Sequence, residues 1–177
     1  MSLNDGIKFI KEHMVCSNFA IPNASAVTFL KANAIAVTED YVNYKAAGDR
    51  LFWIYQCEKG NVCKIDIPLN YFRQHYNKVS PRKEFDGTQA KENYRINQYL
   101  HQRGYISGIT RYHEYVYYWK YLQEFKFENK QIRTELIRLW FPEWWRCGFT
   151  FSIARSIINS YSYIIGNARR LKHWLFK

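Results

Sequence analysis

The residues best placed to do chemistry lie between Gly48 and His75. Asp49 follows a glycine and precedes the apolar run Leu51-Phe52-Trp53-Ile54, so it opens a predicted helix reaching about Lys59. A carboxylate there caps the helix. The positive end of the helix dipole also favours its ionised form, the form a general base needs at working pH. Further on, Leu69-Asn70-Tyr71-Phe72-Arg73-Gln74-His75 closes what reads as a strand from Val62 to Gln74. Residues two apart on a strand share a face, so Tyr71, Arg73 and His75 point the same way. The Arg73 guanidinium suits bidentate phosphate binding. The His75 imidazole is a ligand for a divalent metal or, beside Arg73, part of an anion site. The two ends of this helix–turn–strand unit are expected to meet, with Asp49, Arg73 and His75 lining one cleft.

Other candidates are weaker. Glu39-Asp40 is an acid pair in a loop, where such pairs are usually solvated. His13, His101, His113 and His173 fall on helical stretches with no acid at a fixed spacing and read as structural. There is no glycine-rich phosphate loop, nucleophile elbow or HExxH pattern. Cys16, Cys57, Cys63 and Cys147 make neither a CxxC pair nor a zinc-type spacing, and read as reduced thiols.

The elements that must position these groups follow from periodicity. Asn4-Asp5 offers a cap for a helix ending near Ser17-Asn18. Met1-Ser2-Leu3 reads as a cloning scar outside the fold, and no signal peptide is recognised. Ser25 to Leu30 has strand character, Lys31 to Val37 reads as a short helix, and Asn77 to Gly87 as loop. From Thr88 the pattern is helical: Thr88 to Arg103, stopped at Gly104; Tyr105 to about Phe125; a third helix marked by Ile132, Leu136 and Leu139 and ended by Pro142; and a fourth, amphipathic and basic, from about Phe151 to Phe176.

A chain of 177 residues is one domain, or one compact unit with an appendage. The formal net charge is +11, and Lys126 to Lys177 holds ten lysines and arginines against three acids, a balance of +7. Such a surface attracts phosphates of nucleic acid, nucleotide or lipid. Aromatics make up 19% of the chain, with fifteen tyrosines and six tryptophans. The apolar run from Cys147 to Ile165 is broken by Arg155 and several polar residues and is too polar to span a membrane.

Four segments together resemble a family. They are Asn23-Ala24-Ser25-Ala26-Val27-x-Phe29-x-Lys31, then Gly48-Asp49-x-Leu51-Phe52-Trp53, then Lys59-Gly60-Asn61-Val62, then Leu69-Asn70-Tyr71-Phe72-Arg73-Gln74-His75-x-Asn77-x-Val79-Ser80. In order and spacing they resemble the second half of bacterial family 2 glycosyltransferases, over roughly Asp5 to Leu100. The resemblance implies an α/β fold: the carboxy-terminal half of a GT-A-like domain over residues 4–87, with a few short strands and flanking helices, followed by a mainly helical extension over 88–177. It implies inverting transfer of a sugar from a nucleotide-sugar donor to a saccharide or lipid-linked acceptor, with Asp49 as catalytic base, Arg73 near the donor diphosphate and His75 near a divalent metal, Mg or Mn. The family's donor half and its Asp-x-Asp element have no counterpart among Asp5, Asp40, Asp49, Asp66 and Asp86. The chain therefore reads as a carboxy-terminal part that holds neither donor nor metal by itself. The implied location is cytoplasmic, with the basic aromatic tail meeting the inner face of the membrane and no nucleic acid as partner. The other reading of the composition is a non-enzymatic basic, aromatic module that binds RNA or an acidic membrane.

Overall fold

Asp5 accepts the Lys8 N–H at 2.8 Å and starts α1 (Gly6–His13), the cap that the sequence predicts. The computed structural model describes residues 1–15, 20–21, 24–37, 39–65, 67–69, 83–146, 152 and 156. After α1 come α2 (Lys31–Ile35), a 3-10 turn at Glu39–Asn43, α3 (Gly48–Glu58), α4 (Thr88–Gln102), α5 (Gly108–Glu124) and α6 over 130–146. Two short strands, β1 (Ser2–Asn4) and β2 (Val62–Lys64), pair antiparallel, with Leu3 opposite Cys63. The described residues are therefore mainly helical with one two-stranded sheet.

Helix α3 is the centre of the first core. Leu51, Trp53, Ile54, Tyr55 and Cys57 are buried on it and pack with Phe9, Ile10 and Met14 of the α1 region and with Ile96 and Leu100 of α4. Gly6 lets α1 press on the end of α3, because a Cβ there would collide with the carbonyl oxygens of Cys57 and Gly60. The second core lies between α4, α5 and α6, where Ala90, Tyr115, Tyr118, Leu122, Leu136 and Trp140 are buried. Tyr118 stacks on Trp140 at 4.2 Å between ring centroids. Gly87, at φ +74°, precedes α4 and makes room for Ile132. Helix α4 contributes to both cores.

The ties between α3 and α4 are polar and regular. The Glu92 carboxylate, on a residue only 5% exposed, accepts the N–H groups of Lys45, Ala46 and Ala47 at 2.6–2.8 Å. The buried Arg50 guanidinium donates to Asn93 and Asn97 of α4 and to the Met14 carbonyl. At the far end Glu58 accepts from the hydroxyls of Tyr99 and Tyr105 and from Arg103 Nε. Burial, reinforced by the hydrogen bond to Glu58, pushes the Tyr99 hydroxyl pKa well above its ordinary value. Apart from the Met14 bond, which leads to the α1 region, sequence separations along these bonds stay between 41 and 47, so α3 and α4 run in the same direction. Parallel helices align their dipoles, and Glu92 places one negative charge where both N-terminal ends lie.

Several sequence expectations are corrected here. Ala24–Ala26 is a 3-10 turn and 27–30 has no regular structure, so the strand read at Ser25–Leu30 is absent. The strand read from Val62 to Gln74 is short: β2 ends at Lys64, the described residues 65 and 67–69 are not strand, and 70–82 lie outside the described residues. Met1-Ser2-Leu3, read as a cloning scar outside the fold, is part of it, since Ser2 and Leu3 pair with β2. The first helix stops at His13 rather than near Ser17. Helix α6 continues through Pro142, because Leu136, Trp140 and Trp144, four apart, keep one face buried while Pro142 faces solvent. Of the fourth predicted helix only residues 152 and 156 are described.

Replacing Glu92 by alanine removes the shared acceptor of three backbone donors. The expected loss is roughly 1–3 kcal/mol, the cost of one buried donor left unmade, because Ala47 is buried whereas Lys45 and Ala46 are open to water. Urea unfolding followed by circular dichroism measures it; a midpoint within error of the parent would mean that water satisfies those donors.

Candidate functional site

Glu92 changes the role of Asp49. The residue that caps α3 is Ala47, with no side-chain cap bond, and its N–H is held by Glu92. Asp49 lies in the first turn, exposed, with its carboxylate accepting the Arg50 N–H at 2.7 Å. The capping reading of Asp49 is thus replaced by a carboxylate that faces solvent from a firmly held helix start. Among the described residues Asp49 forms no ion pair. Arg73 and His75 lie outside the described residues, so the expected convergence of Asp49, Arg73 and His75 does too. Among the described residues no group of three or more His, Cys, Asp or Glu is arranged to hold a metal ion, and no helix is long and apolar enough to cross a membrane. Cys57 is a free, buried thiol, its pKa pushed up to about 11 by burial, and Cys63 is free and exposed.

A second group of chemical side chains meets between α4, α5 and α6. A cleft of about 410 Å³ is lined by Gln98, His101, Arg111, Tyr115, Glu143 and Arg146 among others. Glu143, 9% exposed, accepts from Gln98 at 3.2 Å, from the Tyr115 hydroxyl at 3.1 Å and from Arg146 at 3.3 Å. His101 Nε2 lies 2.9 Å from Oε2 of Glu114, a residue with no solvent exposure. The other Glu114 oxygen, Oε1, has no hydrogen-bond partner. A carboxylic group removed from water needs a polar partner, and the His101 ring is the one it has among the described residues.

His101 therefore has the acid partner that its helix alone does not offer. Glu114 is thirteen residues on, across the turn at Gly104 and on the next helix, so no spacing within one helix could reveal the pair. Glu92 was more legible. It stands four before Ile96 and eight before Leu100, on the buried stripe of α4, and an acid in line with such a stripe must find donors.

Comparison with protein-family models, with curated proteins and with solved structures finds no match to this chain.

The His101–Glu114 contact is open to a double-mutant cycle with His101→Gln and Glu114→Gln. A coupling on the order of 1–3 kcal/mol in unfolding free energy is expected. Additive losses would show that the two side chains are merely neighbours.

Proposed function

We propose that this chain is the acceptor-side part of a glycosyltransferase in which Asp49 is the general base. As the acceptor hydroxyl attacks the anomeric carbon of a nucleotide-linked sugar, its proton passes to the Asp49 carboxylate. The nucleoside diphosphate leaves from the opposite face, and the configuration inverts. The carbon is oxocarbenium-like at that point, as in glycoside hydrolysis, and the departing diphosphate carries charge that a cation must offset. By the resemblance, Arg73 serves the diphosphate and His75 a divalent metal, Mg or Mn, supplied together with a donor-binding half. The acceptor is a saccharide or a lipid-linked saccharide.

The observation that carries this reading is the setting of Asp49. Its neighbour Arg50 is buried and tied to three groups, and the preceding backbone is clamped by Glu92. Asp49 itself is exposed, bonded to one backbone N–H and paired with no described cation. A base must be both fixed and available, and Asp49 has those two properties.

The test is turnover in the whole protein that carries this chain, read as nucleoside diphosphate released from a panel of nucleotide sugars. Asp49→Asn is expected to lower turnover by roughly a hundredfold to ten-thousandfold and to leave donor affinity within a factor of about two, the range of a group that acts only on the acceptor proton. Near-normal turnover would remove Asp49 from the chemistry.

A specific surface favours contact with an acidic membrane as well. On α6, Phe141 and Trp145 are 51% and 74% exposed and stack at 5.8 Å, with Arg138 and Arg146 exposed nearby. Tryptophan favours the headgroup region, and each cation near an anionic leaflet contributes about 1 kcal/mol. Peripheral docking of this kind suits a lipid-linked acceptor. Sedimentation with vesicles of rising anionic-lipid content is expected to retain the chain at low salt, and Phe141→Ala with Trp145→Ala to weaken retention severalfold. Equal retention of parent and variant would take this face out of the account.

A further inference from the structure

The face of α3 that carries Asp49 continues into aromatic residues. Helical spacing places Phe52, Trp53 and Gln56 three, four and seven residues on, in line with Asp49. Two other segments bring rings to that face. Phe29 meets Phe52 at 5.6 Å and Trp53 at 5.5 Å between centroids, both edge-to-face. Tyr41 meets Phe52 at 5.1 Å. The Tyr41 carbonyl oxygen also presses on the start of α3, where a Cβ on Gly48 would lie 2.6 Å from it. The turn at Glu39–Asn43 is thus fixed beside Asp49, and Phe52 joins it to the segment that carries Phe29. These side chains are not all spent on packing. Phe29 is 45% exposed and stacks on neither neighbour. Trp53, only 4% exposed, has an indole N–H with no hydrogen-bond partner, and the buried amide atoms of Gln56 have none either. Buried polar groups are seldom left unpaired.

A pyranose has the matching chemistry. Its hydroxyls donate to a carboxylate and accept from an indole or amide N–H, while the C–H groups on one side of the sugar suit the negative face of an aromatic ring. An alkyl chain offers no hydroxyls, and an anion meets Asp49 as a like charge. We infer that Phe29, Tyr41 and Phe52 form a subsite for a pyranose, which packs its C–H face on Phe29 and presents a hydroxyl to Asp49. The inference rests on the reading of Asp49 as general base and names the acceptor end of that reaction: the group recognised is a sugar ring, not the lipid to which it is linked. Phe29 is the specificity-determining residue, because it is the most open of the three rings.

The probe is a set of methyl pyranosides (glucoside, galactoside, mannoside and N-acetylglucosaminide) titrated into the full chain and read by saturation-transfer NMR and calorimetry. Saturable binding of at least one is expected, with the strongest transfer to the C–H protons of one sugar face. Phe29→Leu keeps apolar bulk and loses the ring. It is expected to weaken binding severalfold, the size of an aromatic contact, with circular dichroism and melting temperature as the check on folding. Phe29→Tyr, which keeps the ring, is expected to retain binding. In the whole protein Phe29→Leu is expected to raise the acceptor KM and to leave the donor KM unchanged. Binding of no pyranoside at millimolar concentration, equal binding by parent and Phe29→Leu, or equal loss in Phe29→Leu and Phe29→Tyr overturns the subsite, even where Asp49→Asn abolishes turnover. Normal turnover of Asp49→Asn beside pyranoside binding that depends on the Phe29 ring overturns the base instead and leaves the sugar site standing.

Discussion

Three backbone N–H groups converge on one carboxylate, and most of the first half of the molecule depends on that convergence. Glu92 reaches from α4 to Lys45, Ala46 and Ala47 and thereby sets where α3 begins. Without it, the N–H of the buried Ala47 would have nothing to receive it. The arrangement also decides which acid does what. A carboxylate supplied from another helix does the capping, so the acid in the first turn of α3 is released from that duty and faces outward.

Arg50 is the counterpart on α3. It carries a charge into the interior and is tolerated there because Asn93, Asn97 and the Met14 carbonyl receive its N–H groups. One guanidinium therefore joins three stretches of chain: the end of α1, the start of α3 and the middle of α4. The aromatic residues do comparable work in the second core. Tyr118, Tyr94 and Tyr115 each contact Trp140, by stacking or edge-to-face geometry, so these rings are packing material.

How much of this was legible in the sequence depends on the range of the cause. The helices α1, α3, α4 and α5 could be read because their periodicity is local, helped by Asp5 at the start of the first and Gly104 at the end of Thr88–Gln102, whereas the start of α3 is held from another helix by Glu92. The run through Pro142 was not legible, since its reason is the packing of Leu136, Trp140 and Trp144 against other helices. Nor were Glu92, Arg50, His101 and Glu114 as partners. Each depends on a residue in a different element, and no spacing within one element reports such a meeting. The expected strands fared worst. Apolar alternation around Ser25–Leu30 marks residues that in part face solvent, Phe29 and Leu30 among them, in a segment without a ladder to join.

The regular offset between α3 and α4 has a consequence for how the chain folds. Every tie between the two helices closes a loop of nearly the same length, because the partners stay 41 to 47 residues apart. The entropy of closing such a loop is lost once, with the first tie, and each later tie adds little further closure cost. The two helices should then join as a zipper with one slow step. Local helix formation is fast, whereas contacts this distant in sequence are slow to find, so the rate at which the first half of the molecule assembles is set by a single encounter between residues near 50 and residues near 95.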